Sequence, residues 1–275
     1  MKKAEFSFHK RADGTLPEII SIIPIKDEVI FPHLIRPLSM SEEGSVKAIN
    51  ESISKKEFIG TVALKYDVES PKHNDFYDVG TAVKIIQVIE SSPYSVKVIV
   101  EGMMRIRITE YVQTEPYYKA RVEELREFTE KSETVDVLVQ SVKTLFKLSA
   151  ILGKALPKDI LPMIDNVNNP SILADLVAIY LELSVDEKQK LLEMIDPQKR
   201  LRIVFHYLNK EVQLREVRGK INEDVAKEMS KTQREYFLRE QMKAIQKELG
   251  KDDPHMEEIN KLEERIKEAK MPKEV

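Results

Sequence analysis

The chain has 275 residues, 42% hydrophobic and 33% charged, with a formal net charge of -3. That length supports one large or two medium domains with real cores, and the slightly acidic balance removes any global attraction to nucleic acid. The absence of cysteine excludes disulfides, thiol catalysis and sulfur-based zinc sites, and fits a reducing compartment.

Residues 1–15 (MKKAEFSFHKRADGT) carry basic residues but no apolar run of signal-peptide length, and are expected to be a flexible N-terminus. No window approaches the roughly 18 apolar residues of a membrane span, so a cytoplasmic protein is expected. Between residues 16 and 127 the apolar positions alternate or form short runs, at 19–25, 58–64, 83–89, 96–100, 106, 108 and 118–125. Their β-branched content predicts a sheet-rich domain. VKVIV (96–100) and MRIRI (104–108) are expected to form a hairpin through Glu101 and Gly102. Val96, Val98 and Val100 then share one face, and Lys97, Arg105 and Arg107 lie on the other. Residues 42–54, with Val46, Ile49 and Ile53 at helical spacing, predict one helix capped by Ser41.

After Phe128 the period becomes helical. Val135, Leu138, Val139, Val142, Leu145, Phe146 and Leu152 trace one face, which Gly153 ends with a left-handed cap. A short helix is expected over 158–165, and another opens at Asn169-Pro170. Ser184 with Glu187 forms a capping box for the next. Together these predict a helical bundle over 128–209. Asp196-Pro197 starts a segment that meets no further proline before Leu249. As one helix it would span about 80 Å at ~1.5 Å per residue, with Gly219 as the place where it could bend.

Residues 210–275 are therefore expected to form a long helix ending in a coiled-coil hairpin. Leu238, Met242, Ile245 and Leu249 form one stripe, and Ile259, Leu262 and Ile266 form its partner, on a segment 256–269 that folds back. The fold class is α+β: a partly closed β domain with one helix, then an all-α bundle and the long helix.

Catalytic chemistry is not legible. Gly153-Lys154, Gly219-Lys220 and Gly250-Lys251 all lack the hydroxyl and the first glycine of a phosphate loop. The histidines have no ligand spacing, and no G-x-S-x-G elbow occurs. No catalytic, cofactor-binding or metal-ligating residue is expected, and this chain is not expected to be an enzyme.

Four blocks carry a family resemblance: residues 23–38, IPIKDEVIFPHLIRPL; 79–88, VGTAVKIIQV; 96–108, VKVIVEGMMRIRI; and 233–250, QREYFLREQMKAIQKELG. In this order they resemble the amino-terminal region of Lon-type ATP-dependent proteases, and the fourth is the most specific. The resemblance implies a PUA-like pseudo-barrel, a helical bundle and a coiled-coil arm. It also implies a role in protein quality control: binding unfolded or damaged proteins and degradation tags, and delivering them to an AAA+ ATPase and a Ser-Lys protease domain. Those domains would lie beyond Val275, with ATP and Mg serving them and not this part, in a homohexamer. Candidate client contacts are Pro24, Phe31, Pro32 and Leu34 in the first block, with Met103 and Met104, because clients of varied sequence call for adaptable apolar surface. Two competing readings are a nucleic-acid-binding PUA-like module using Lys97, Arg105 and Arg107, and a purely oligomerising coiled-coil scaffold.

Overall fold

The computed structural model describes residues 5–6, 16–68, 71–128 and 132–249, together with 258–259, 261–262 and 264–265. Seven strands form one mixed sheet: β1 (Glu5–Phe6), β2 (Ile19–Ile25), β3 (Leu34–Met40), β4 (Ile59–Ala63), β5 (Val79–Ser91), β6 (Val96–Gln113) and β7 (Tyr118–Glu124). Helix α1 (Glu43–Lys55) connects β3 to β4, and the helices α2 (Glu133–Ile151), α3 (Ile160–Asn166), α4 (Pro170–Tyr180), α5 (Val185–Glu193) and α6 (Pro197–Leu249) follow the sheet. This is the α+β order that the two periodicities predict.

The strand order is β1-β3-β6-β5-β4-β2-β7, and β7 also pairs with β6. The second pairing closes β6, β5, β4, β2 and β7 into a ring, so the barrel has no free edge there. Only β2 and β4 run parallel. β3 was not legible as a strand because Pro37 interrupts its apolar pattern. It pairs with β6 from Ile35 to Met40, and on its other side the described residues of β1 pair with Leu34 and Ile35.

The hairpin expected through Glu101 and Gly102 is corrected: residues 96–113 form one continuous strand. Gly102 is not a turn residue. A Cβ there would lie 2.3 Å from the Phe31 carbonyl oxygen, and the backbone N–H of His33 donates to the Gly102 oxygen at 2.7 Å. Glycine serves this close backbone approach. Beside it the pairing steps from Ala82↔Met104 to Val83↔Gly102, leaving Met103 as a bulge that bends the strand. The true hairpin joins β5 to β6 through residues 92–95. There the Ser92 N–H donates to the Ser95 carbonyl at 2.9 Å, and the Ser92 hydroxyl oxygen accepts from the Ser95 N–H at 3.0 Å.

Local helix signals are largely realised. Gly153 takes φ +88 after α2. The Asn169 Oδ1 accepts from the N–H of Ser171 and Ile172 at 2.9 and 3.3 Å, and both halves of the Ser184–Glu187 capping box form. Ser41 does not cap α1. The N-cap is Glu42, which makes no side-chain cap bond, and its carboxylate accepts instead from the Ser45 hydroxyl. Helix α6 is continuous through Gly219.

Residues 1–215 form one compact unit and residues 216–275 a second. In the first, Val29, Phe31, Ala63 and Val79 of the barrel share a buried cluster with Val142, Phe146, Leu173, Leu176, Leu201 and Val204 of the bundle. Across this shared core runs a buried charge cluster. The Arg105 guanidinium on β6 reaches Asp175 of α4 at 2.6 Å, Glu127 at 2.7 Å and the Leu192 carbonyl at 2.9 Å. Arg200 of α6 donates to Glu127 at 2.7 Å, the Ser171 hydroxyl at 2.6 Å and the Met194 carbonyl at 2.6 Å. Arg200 Nε is 3.1 Å from Asp175 but misaligned, and makes no hydrogen bond. Two cations meet two anions here, so no net charge is buried.

In the second unit, Val217, Ile221, Val225 and Met229 are exposed. Leu238, Met242, Ile245, Ile259 and Leu262 are between 50 and 60% exposed, so the coiled-coil packing expected of them is not made among the described residues. Ile266, the side chain of Leu249 and most of the expected return segment 256–269 lie outside the described residues, as does the expected N-terminal tail apart from β1.

Two outcomes follow from this packing. Arg105→Met leaves Asp175 and Glu127 to share Arg200 alone, one cation for two carboxylates in a buried joint, and is expected to lower unfolding free energy by about 3–5 kcal/mol. Urea denaturation measures this, and a loss under about 1 kcal/mol contradicts it. His33, held at φ +64 beside Gly102, titrates below its ordinary 6.5 because burial disfavours the imidazolium, against the pull of Asp175 and Glu127. A folded state that binds this proton less readily than the unfolded one loses stability as pH falls below about 6.5, down to the folded pKa. His33→Asn, which tolerates the left-handed backbone, is expected to flatten the fall in melting temperature between about pH 7 and 5. An unchanged slope contradicts the assignment.

Candidate functional site

The first expectation to be corrected is the client-contact patch. Pro24, Phe31, Pro32 and Leu34 are all buried. Phe31, with no exposed surface, fills the shared core between barrel and bundle, and Leu34 packs in the cluster beneath α1. The FPHL segment is spent on joining the two layers, which is why its large side chains face inward. Met103 and Met104 are partly buried against the barrel interior with Ile106 and Phe76. None of the six offers a broad free surface.

Exposed apolar surface lies instead on the β5–β6 hairpin. Ile86, Val88, Ile89 and Tyr94 are 51, 41, 49 and 85% exposed. Their exposure has a backbone cause. The pairing runs Ile85↔Val100 then Gln87↔Ile99, and Val88↔Val98 then Glu90↔Lys97, so Ile86 and Ile89 are each an extra residue on β5. A bulge leaves its extra residue without a cross-strand partner and re-aims the side chains around it. Val96, Val98 and Val100 on the partner strand remain buried. The hairpin therefore keeps one row in the core while showing isoleucine outward.

The hairpin is held in place near its turn. The Ser91 hydroxyl donates to Asn50 Oδ1 of α1 at 2.9 Å, and β3 pairs with β6 from Val96 to Glu101. A rigid support lowers the entropy lost when an apolar partner docks. Adjacent apolar pairs in VKIIQVIE, at 85–86 and 88–89, were the available sequence signal: strict alternation cannot place both members of a pair inside.

The basic residues of β6 do not form a phosphate-binding row. Arg105 is 3% exposed and committed to Asp175 and Glu127, Lys97 is half-buried, and only Arg107 is open. Among the described residues no group of three or more histidines and acids has the arrangement to hold a metal ion. No helix there is long and apolar enough to cross a membrane.

The family model of the ATP-dependent protease La (LON) substrate-binding domain matches residues 19–210, which contain both the barrel and the bundle. The chain is 38% identical over 259 residues to the Lon protease of Dictyoglomus thermophilum and 36% identical over 256 residues to that of Escherichia coli. These matches cover 94% and 93% of this chain but 33% of each relative, so it spans about a third of their length. Among solved structures, the N-terminal domain of the Mycobacterium avium complex Lon protease superposes with a TM-score of 0.55 at 21% identity, covering 70% of this chain and 98% of that one. The Lon N-terminal domain protein from Xanthomonas campestris gives 0.50 at 14% identity, covering 68% and 97%. Those two likenesses establish the fold, and with the family match over the barrel and bundle the chain belongs to the Lon protease N-terminal substrate-binding domain family.

Proposed function

We propose that this chain binds unfolded or damaged polypeptides through the apolar face of the β5–β6 hairpin and delivers them to the ATPase and Ser-Lys protease domains of a whole Lon-type enzyme. The observation that carries this reading is the exposure of Ile86, Val88, Ile89 and Tyr94 on a hairpin whose other face is core. A folded client hides its own aliphatic residues; an unfolded one presents them, and burying one isoleucine is worth about 1.5–3 kcal/mol. The same contact therefore discriminates by folding state without reading a sequence.

Binding by one copy is weak in this reading, in the micromolar range or above. A hexamer presenting several hairpins to one client raises avidity by about 10²-fold or more. The exposed stripe of Val217, Ile221, Val225 and Met229 on α6 supports self-association as a further task of the chain. ATP and Mg serve the motor, and this chain alone, working in the cytoplasm, turns over neither ATP nor peptide.

Carboxymethylated lysozyme is the probe, with native lysozyme as control. Ile86→Ser with Ile89→Ser is expected to weaken capture of the carboxymethylated form by about ten-fold or more while shifting stability by no more than about 0.5 kcal/mol. Undiminished capture by the double variant contradicts the hairpin as the contact surface. A coupled-enzyme assay on the purified chain is expected to give no ATP hydrolysis above the buffer rate. Turnover that follows the protein through purification overturns the division of labour.

A further inference from the structure

A cavity of about 310 Å³ opens where the loop between β2 and β3 meets helices α4 and α5. Its walls are unlike the hairpin. Lys26, Arg36 and Lys188 supply cations, Asp27 and Glu28 supply carboxylates, and behind them the half-buried Ile179 adjoins the buried Val29 and Leu34. Two of the cations are already engaged: Lys26 pairs with Asp67 at 2.5 Å, and the Arg36 Nε pairs with Glu28 at 2.6 Å. The ammonium of Lys188, on α5 and partly buried, forms no ion pair or hydrogen bond among the described residues. The carboxylate that pulls on its ammonium, Glu28, is the one Arg36 holds.

An ammonium withdrawn from water without a partner is a cost that a bound anion removes. Burial accordingly holds the Lys188 pKa below the usual lysine value, with Glu28 opposing and Arg36 adding to the shift. Arg36 meets Glu28 through its Nε, and a guanidinium carries five N–H donors in a fork that suits a carboxylate. The acid Asp27 also lines the cavity, but it is exposed, where water screens its charge. The loop is fixed in shape by two residues in the left-handed region, Asp27 at φ +62 and His33 at φ +64.

We propose that this cavity is a subsite for the C-terminal carboxylate of a polypeptide, with Lys188 and Arg36 receiving the carboxylate and the half-buried Ile179 meeting an aliphatic terminal side chain. The inference rests on the substrate-binding reading and adds a second, chemically distinct contact to it. The volume lies at the small end of the roughly 300–1,000 Å³ range of ligand pockets, which suits a chain terminus and not an extended segment. Every unfolded or cleaved client carries such a terminus, and charge-assisted hydrogen bonds to it are about twice as strong as neutral ones.

The test uses a fluorescein-labelled Gly/Ser decapeptide ending in Ala-Leu, as free acid and as C-terminal amide, titrated with the full chain by fluorescence anisotropy. The free acid is expected to bind about ten-fold or more tightly than the amide. Lys188→Gln is expected to erase that difference, and Lys188→Arg to retain it. Isovalerate, which offers the carboxylate and aliphatic body without a peptide, is expected to compete only at concentrations far above the peptide's. Equal affinity for acid and amide, indifference to Lys188→Gln, or competition by isovalerate at the peptide's own affinity overturns the proposal. The decapeptide has no apolar segment for the hairpin, so its acid–amide contrast reports the cavity alone. Capture of carboxymethylated lysozyme with an amidated C-terminus reports the hairpin alone, and the two readings can fail separately.

Discussion

Two guanidinium groups and two carboxylates, drawn out of water together, fix how the sheet meets the helices. Arg105 comes from the middle of the longest strand, Asp175 from α4, Arg200 from the start of α6 and Glu127 from the segment between sheet and bundle. Buried ion pairs of this kind add little net stability relative to a hydrophobic replacement, but each member is costly to strand. Their contribution is to make one mutual arrangement of the two layers much better than its neighbours. Hydrophobic packing of Phe31 against Phe146, Leu173 and Leu201 supplies the bulk attraction; the charges set the register.

That joint bears directly on the exposed hairpin. Arg105 anchors β6 at one point, and the strand runs from there back to Val96 and the turn, at most about 30 Å of extended chain at ~3.3 Å per residue. Along the way β3 covers one edge and Ser91 is tied to Asn50 of α1. Bulges at Ile86 and Ile89 then turn aliphatic side chains to water on a support that is otherwise core. A rigid hairpin with outward isoleucines suits a partner that is itself disordered. The conformational cost of binding then falls on one side only.

Much of the architecture was legible in the sequence because it is written in local signals. The change from period two to period 3.6 near Phe128, the Asn169-Pro170 start, the Ser184–Glu187 box and the left-handed Gly153 all act within a few residues. The failures were non-local. Gly102 reads as a turn until the Phe31 carbonyl is placed against it, and β3 reads as coil until its pairing with β6, about sixty residues on, is seen. The candidate contacts failed for the same reason: whether Phe31 faces water depends on a bundle more than a hundred residues away, and Leu34 is covered by α1. The open hairpin face carried a trace in the doubled pairs Ile85-Ile86 and Val88-Ile89, which alternation alone cannot bury. The charge partners of Arg105, Glu127 and Asp175, 22 and 70 positions distant, carried none.

The account stands or falls on where an unfolded chain touches this protein. Backbone chemical-shift mapping of the isotope-labelled chain with carboxymethylated lysozyme reads that surface residue by residue. The account predicts perturbations concentrated over residues 84–99, with the buried Pro24 and Pro32 silent. Binding accompanied by shifts confined to the bundle helices, with the β5–β6 hairpin unmoved, contradicts it.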